Sequence, residues 1–179
     1  MPNTSRLFFA LWPNDKIRQA LAQLNRHIPT PAKQVDSRNL HVTLVFLGQV
    51  DAEIESVIEQ LAADITVPPF ELTFDNLSYW NRPKVLCLTC RQDVPEEAML
   101  LTSALTEAAV NCGLKIDSRT YTPHITLARH ARHLPDVKIE PIVWRAEAFC
   151  LVQSCSEPAG VNYKVIQQWP LLKTSKPLA

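Results

Sequence analysis

The sequence predicts an α+β fold in which two similar lobes of antiparallel sheet and helix surround a central cleft. Three observations carry that expectation. Segments of helical and strand character are mixed along the chain without a regular βαβ alternation. A strand-like motif occurs twice, as HVTLVFLG from His41 and HITLARHA from His124, each preceded by a helical segment. There is no glycine-rich phosphate loop, because only three glycines occur and none forms GxGxxG or a Walker pattern. A length of 179 residues suits one globular domain of two fused lobes, and residues 1–179 are read as that single domain.

In chain order, Arg6–Leu11 reads as the first strand. Asn14–Ile28 reads as a helix, with Ile17, Leu21, Leu24 and Ile28 on one face and Pro13-Asn14 as the start signal. His41–Leu47 is a strand. Asp51–Asp64 is a second helix, with Ile54, Val57, Ile58 and Leu61 on one face and Asp51 as its N-cap. Phe70–Tyr79 and Lys84–Arg91 follow as strands. The third helix spans Pro95–Cys112, acidic at its start and closed by Gly113. His124–Arg129, Ala146–Ser154 and Tyr163–Trp169 complete the strands, each carrying β-branched, aromatic or alternating apolar residues.

Eighteen basic residues balance eighteen acidic ones, so no global field draws in a polyanion and any nucleic-acid contact must be local. The apolar run near the N-terminus is too short for a signal segment, and nothing approaches the ~18 apolar residues that span a bilayer. A soluble, cytoplasmic protein is expected. Five cysteines at irregular spacings make no disulfide framework. Cys87 and Cys90 form a CxxC, but inside the strand-like KVLCLTCR they point to opposite faces, so one metal cannot easily take both thiolates. They are read as buried strand cysteines.

The chemistry is carried by the repeated His-aliphatic-Thr-Leu. With five histidines and twelve threonines in 179 residues, roughly 0.3 His-x-Thr triples are expected by chance. Requiring apolar residues at the two other positions brings this below about 0.1, and two occur. In a strand, residues i and i+2 share a face about 6–7 Å apart. His41 and Thr43 therefore point one way while Val42 and Leu44 enter the core, and His124 and Thr126 do the same against Ile125 and Leu127. Two groups that titrate near neutral pH suit an in-line displacement at phosphorus, where one oxygen loses a proton as another gains one. Threonine hydroxyls can donate to the non-bridging oxygens and need no metal to do so.

At these residues the sequence resembles the two-histidine phosphoesterases, whose hallmark is a pair of HxTx motifs, and among them the bacterial and archaeal RNA 2′,3′-cyclic phosphodiesterases, also called 2′-5′ RNA ligases. RLFFALWP resembles the family's opening strand, NLHVTLVFLGQV its first motif and TPHITLARH its second. Ser154, Gly160, Tyr163 and Trp169 continue the resemblance, which covers nearly the whole chain. It implies that His41 is the proton donor to the leaving ribose oxygen, that His124 is the proton acceptor that activates water, and that Thr43 and Thr126 hold the phosphate. The residues alone do not say which histidine is which. The resemblance further implies a 2′-phosphate product, a possible reversible 2′-5′ RNA ligase activity, and no need of metal or nucleotide cofactor. The expected partners are RNA ends or nucleotides bearing a 2′,3′-cyclic phosphate, handled by a monomer away from any membrane.

Further substrate-binding candidates are Arg129, Phe9, Phe46 and Tyr121. Arg129 sits where the second motif commonly carries an arginine suited to phosphate. Strict alternation turns it away from His124, so a bulge or strand end is needed to bring it to the site. Phe9, Phe46 and Tyr121 can stack on a base, although Phe9 and Phe46 suit the core equally. The run from Arg129 to His133 is locally basic and reads either as a contact to an RNA backbone or as a solvated loop. Rival readings are a two-histidine phosphodiesterase for ADP-ribose cyclic phosphate or 2′-5′ oligoadenylate, a non-catalytic nucleotide- or RNA-binding protein, and a zinc enzyme using both histidines.

Overall fold

A computed structural model describes residues 4–158 and 160–172, so both ends of the 1–179 span and Ala159 lie outside the described residues. The chain runs β1 (Thr4–Leu11), α1 (Asp15–His27), β2 (Lys33–Gln34), a 3₁₀ turn (Ser37–Asn39), β3 (Val42–Asp51), α2 (Ala52–Ala63), β4 (Phe70–Phe74), β5 (Asn76–Trp80), β6 (Val85–Thr89), α3 (Glu96–Asn111), β7 (His124–Arg129), β8 (Ile142–Ala146), β9 (Ala148–Glu157) and β10 (Gly160–Pro170). The first lobe is a sheet of order β10-β9-β1-β3, and the second is a sheet of order β2-β7-β6-β5. A ribbon of β4 and β8 completes the α+β architecture, and every pairing is antiparallel. The repeat is longer than the two motifs. Strand, helix and antiparallel HxTx strand recur as β1-α1-β3 and β6-α3-β7.

The helices begin where their caps dictate. Asn14 accepts from the Ile17 amide at 2.9 Å and Asp51 from the Ile54 amide at 2.9 Å, each satisfying a donor that the first turn leaves free. Alternation along β1 sends Leu7, Phe9 and Leu11 into the main core and Phe8 and Ala10 to the opposite, cleft-side face. There Phe8 and Ala10 join Cys150 and Val152 in a second, smaller apolar cluster under Trp12, Tyr163 and Val165. α2 and α3 pack with β3, and α1 packs with β8. No helix among the described residues is long and apolar enough to cross a membrane.

Several boundaries differ from expectation. Phe70–Tyr79 is two strands, broken at Asp75, whose carboxylate accepts from the Arg91 amide at 2.9 Å. β4 leaves to pair with β8, while β5 pairs with β6. Residues 142–146 form a strand that was not expected, and Glu147 separates it from β9. β3 runs on to Asp51 through Gly48, whose φ of +76° suits the residue without a side chain. Each difference turns on which distant strand a segment meets, and local pattern does not encode that.

Candidate active site

Both HxTx strands carry a β-bulge at the same place. In the first lobe Thr43 lies opposite Ala10 and Val45 opposite Phe9, so Leu44 is the extra residue; a further register shift falls at Leu47. In the second lobe Thr126 lies opposite Cys87 and Ala128 opposite Leu86, so Leu127 is extra. A bulge lets two successive residues face inward, and Leu44-Val45 and Leu127-Ala128 are buried as pairs. The next residue is thereby returned to the face of the histidine. That residue is Phe46 in one lobe and Arg129 in the other. The bulge that strict alternation demanded for Arg129 is present.

The two imidazoles are held alike. His41 Nδ1 lies 2.6 Å from the Asn39 carbonyl and His124 Nδ1 lies 2.8 Å from the Thr122 carbonyl. A carbonyl only accepts, so each Nδ1 carries the proton and donates it, which leaves Nε2 as the working nitrogen. His41 Nε2 lies 3.1 Å from the Thr43 hydroxyl and accepts from it when neutral. Burial lowers the pKa of His41 to about 4, the Asn39 carbonyl opposes that shift, and the charges of His124 and Arg129 add to it. His124 is lowered too, again chiefly by burial, with the Thr122 carbonyl opposing. The strands that carry the two motifs, β3 and β7, approach each other, and His124 and Arg129 are near enough for their charge to act on His41.

Aromatic rings fix the histidines. Trp12 stacks on His41 with centroids 5.6 Å apart and planes at 14°, Tyr163 meets it edge-on at 5.1 Å, and Phe8 lies at 5.0 Å. Trp80 lies 4.5 Å from His124. Beside His124, Asn76 and Thr89 continue its row across the sheet, and Asn76 donates to both Ser78 Oγ at 2.8 Å and Thr89 Oγ1 at 2.9 Å. The first lobe thus gives the cleft an apolar, aromatic wall, and the second gives it a hydroxyl- and amide-bearing one.

This arrangement of paired motifs has known counterparts. The model of the 2′-5′ RNA ligase superfamily matches residues 13–154. The chain belongs to that superfamily. Among its relatives, the RNA 2′,3′-cyclic phosphodiesterase of Escherichia coli (strain K12) is 33% identical, over 96% of this chain and 99% of that protein. The protein of the same name from Archaeoglobus fulgidus is 27% identical, over 89% of this chain and 96% of its own length. The crystal structure of E. coli LigT complexed with 3′-AMP matches with a TM-score of 0.85 at 33% identity, covering 96% of this chain and all of that one. The apo form of LigT matches at 0.84 with 33% identity, over 95% of this chain and 99% of its own length.

Within this superfamily member, the remaining candidates fall into place unequally. Phe9 is 0% exposed and packs on Phe149 and Trp169 in the main core, so it presents no face to the cleft; the alternation of β1 offers Phe8 and Trp12 instead. Tyr121 also packs against the core, and its buried hydroxyl has no hydrogen-bond partner. Burial pushes that phenol far above its ordinary range, and Tyr121 is not an exposed stacking platform. Phe46 is 47% exposed, with the Arg6 guanidinium 5.1 Å above its ring. Of the two cysteines expected to be buried in a strand, Cys87 is buried in β6, whereas Cys90 lies one residue past its end and is only half-buried. Cys87 lies 3.9 Å from Thr126 Oγ1 and Cys90 packs against the main core, with burial pushing both thiols up to about 11.

Sequence reading did not find Trp12, Trp80, Tyr163 or Asn25 as parts of the site. The alternation of RLFFALW carries the signal for Trp12. Nothing local marks Asn25, a buried polar residue on α1 that is 4% exposed. Its amide donates to the Leu127 carbonyl at 3.0 Å, the same oxygen that accepts from the Val35 amide at 2.8 Å. Asn25 therefore clamps the bulge that aims Arg129. Replacing it with Asp puts an acceptor against that carbonyl, and a buried, unpaired carboxylate costs about 3–5 kcal/mol. Asn25→Asp is expected to unfold at lower urea near neutral pH and to recover partly in acid. The folded-state carboxyl pKa is raised, so the penalty fades once the group is protonated and can donate. Equal urea midpoints for wild type and variant at neutral pH would show that the clamp carries no weight.

Proposed function

We propose that the protein is an RNA 2′,3′-cyclic phosphodiesterase that works as a cytoplasmic monomer, hydrolysing a terminal cyclic phosphate to a 2′-phosphate. The observation that carries the reading is the pair of imidazoles held with the same tautomer on matching bulged strands, each with Nε2 as its working nitrogen. The names of the E. coli and A. fulgidus relatives supply the substrate class. All five cysteines are free thiols, which suits a reducing compartment.

In this reading His124 Nε2 takes a proton from water as the water oxygen attacks phosphorus. His41 Nε2–H gives its proton to the 3′ oxygen as the P–O3′ bond breaks. Thr43 and Thr126 donate to the non-bridging oxygens, with Arg129 supplying positive charge beside them. Protonation of His41 is coupled to Thr43. Once Nε2 carries a proton it no longer accepts from the hydroxyl, whose hydrogen is then available to the phosphate. Ligation to a 2′-5′ bond is the same ring opening with a 5′-hydroxyl in place of water. His124 takes the hydroxyl proton as the 5′ oxygen attacks phosphorus, His41 protonates the departing 3′ oxygen, and the histidines exchange roles only when that bond is cleaved back to the cyclic phosphate.

Turnover of a 2′,3′-cyclic nucleotide in excess chelator tests the assignment, and its pH dependence tests the histidines. Burial in the cleft lowers both imidazoles below the ordinary ~6.5, so the bell-shaped kcat/KM profile, which reports free protein, is expected to centre below that value. A bound phosphate anion stabilises each imidazolium and raises both pKa values, so the kcat profile is expected to lie at higher pH. Absence of turnover on cyclic mononucleotides and cyclic-ended RNA alike would sink the activity. Superimposed kcat and kcat/KM profiles would remove the phosphate from the neighbourhood of the imidazoles.

A further inference from the structure

Five of the eighteen Lys and Arg residues gather at one end of the second sheet: Lys33, Arg82, Lys84, Arg129 and Arg132, all exposed. The register puts them there. Lys33 of β2 lies directly opposite Arg129 of β7, Arg129 lies opposite Val85 of β6, and Val85 lies opposite Trp80 of β5. The turn from Trp80 to Val85 carries Arg82 and Lys84, and the Ala131 amide donates to the Lys84 carbonyl at 3.0 Å, which draws the Arg129–His133 segment against that turn. Segments 31–35, 80–85 and 129–133 hold no acidic residue.

Nothing among the described residues neutralises this rim. The ion pairs there are Arg38 with Asp36, Arg119 with Asp117 and Arg145 with Glu147, and none includes a rim residue. Asp36, three positions from Lys33, is held by two bonds to the Arg38 side chain. Asp136 lines a depression with Asp75 and Arg91, next to the opposite end of β5. Like charges directly opposite each other on antiparallel strands destabilise the pairing. Lys33 and Arg129 keep that arrangement in a chain whose net charge is zero.

The rim also has a direction. Gln34, next to Lys33, turns to the other face and donates to the Asn25 carbonyl at 2.7 Å, so Lys33 shares the cleft face with Arg129. His124, Thr126 and Arg129 follow one another along β7 at about 3.3 Å per residue. The basic rim begins where the reacting phosphate would end, and Trp80, whose backbone shares the row of Arg129, lays its ring against His124.

We propose that this rim is a track for the internucleotide phosphates of a single-stranded RNA whose cyclic end lies between the histidines. The proposal rests on the phosphodiesterase reading and extends it: the substrate is a polynucleotide end, and a cyclic mononucleotide occupies only part of the site. Backbone phosphates carry no base identity, so the track favours length over sequence, and its contribution falls as salt rises.

The test uses a Lys33→Gln, Arg82→Gln, Arg132→Gln triple variant, which leaves the histidines, threonines and Arg129 in place. Its kcat/KM is compared with that of wild type on a 2′,3′-cyclic mononucleotide and on a short oligoribonucleotide with a cyclic end, over a range of salt. The mononucleotide rate is expected to stay within about twofold, while the oligomer rate falls about tenfold or more. The oligomer's log–log salt slope is expected to become shallower by about 0.7 for each phosphate that the variant no longer neutralises. An unchanged oligomer-to-mononucleotide ratio, or equal losses on both, overturns the track. A second measurement is independent of turnover: anisotropy of the labelled oligomer on His41→Ala/His124→Ala protein, with and without the three rim substitutions. If wild type hydrolyses neither substrate, the phosphodiesterase reading fails, and this binding decides the rim alone. Weaker binding by the rim variant upholds it, and equal binding refutes it.

Discussion

Replacing either His41 or His124 with alanine is expected to lower kcat/KM on a 2′,3′-cyclic nucleotide by about 10²–10⁴-fold, and replacing both is expected to cost little more. The reason is stoichiometric. One proton must leave the attacking water as another reaches the ribose oxygen, and either transfer without the other leaves charge stranded on phosphorus or on the leaving group. Residues that act as one unit are grossly non-additive, so the double variant distinguishes a catalytic pair from two independent binding contacts. Strictly additive losses would show two separate contributions and would argue against coupled acid–base transfer. A fold check belongs beside the kinetics, because His41 sits among Phe8, Trp12 and Tyr163. Its removal also abolishes a pH term. With its folded pKa depressed to about 4, His41 lowers stability as pH falls from its unfolded value toward 4, and His41→Ala is expected to flatten that part of the stability curve.

The second large effect is expected at Thr43 and Thr126. Valine keeps the shape and suits a strand, so Thr43→Val and Thr126→Val remove little beyond the hydroxyl. Loss of one donor aimed at developing charge typically costs about 10²–10³ in kcat, and Thr→Ser is expected to restore most of it. Thr43→Val carries an added consequence, because the hydroxyl that His41 Nε2 accepts from is gone and the imidazole loses a partner of its neutral form. The pH limb governed by His41 should therefore move upward in Thr43→Val and stay in place in Thr126→Val, since the shift requires the hydrogen bond that the Thr43 hydroxyl makes to His41. An increase in KM with kcat unchanged in both variants would make the hydroxyls ground-state contacts alone.

Much of this was legible because the decisive signals are local. The caps at Asn14 and Asp51, the apolar face of Ile17 and Leu21, and the side-chain period of two that pairs His41 with Thr43 and His124 with Thr126 are all written within a few residues. The two-lobed α+β arrangement follows from the repeated motif and its preceding helix. Legibility failed where strands choose partners. Phe70–Tyr79 reads as one strand, yet β4 and β5 pair in different sheets. Phe9 and Phe8 are the same residue type side by side, and only the phase of β1 decides that Phe9 enters the core while Phe8 backs His41. Tyr121 stands three residues before His124 but turns inward, where its hydroxyl meets no partner.

The amino-acid order was enough to place His41 with Thr43 and His124 with Thr126 on shared strand faces, because side-chain alternation in a strand is a property of the backbone and needs no partner. What surrounds those groups was settled by tertiary packing. The bulges at Leu44 and Leu127, which bring Phe46 and Arg129 round to the cleft, exist only against the register of β1 and β6. The buried amide of Asn25 clamps the second bulge from 102 residues away. Lys33 reaches Arg129 through a two-residue edge strand that no local pattern announces. Contacts between strands depend on which segments meet, so the aim of Arg129 and the charge of the rim emerge only when the lobes are assembled.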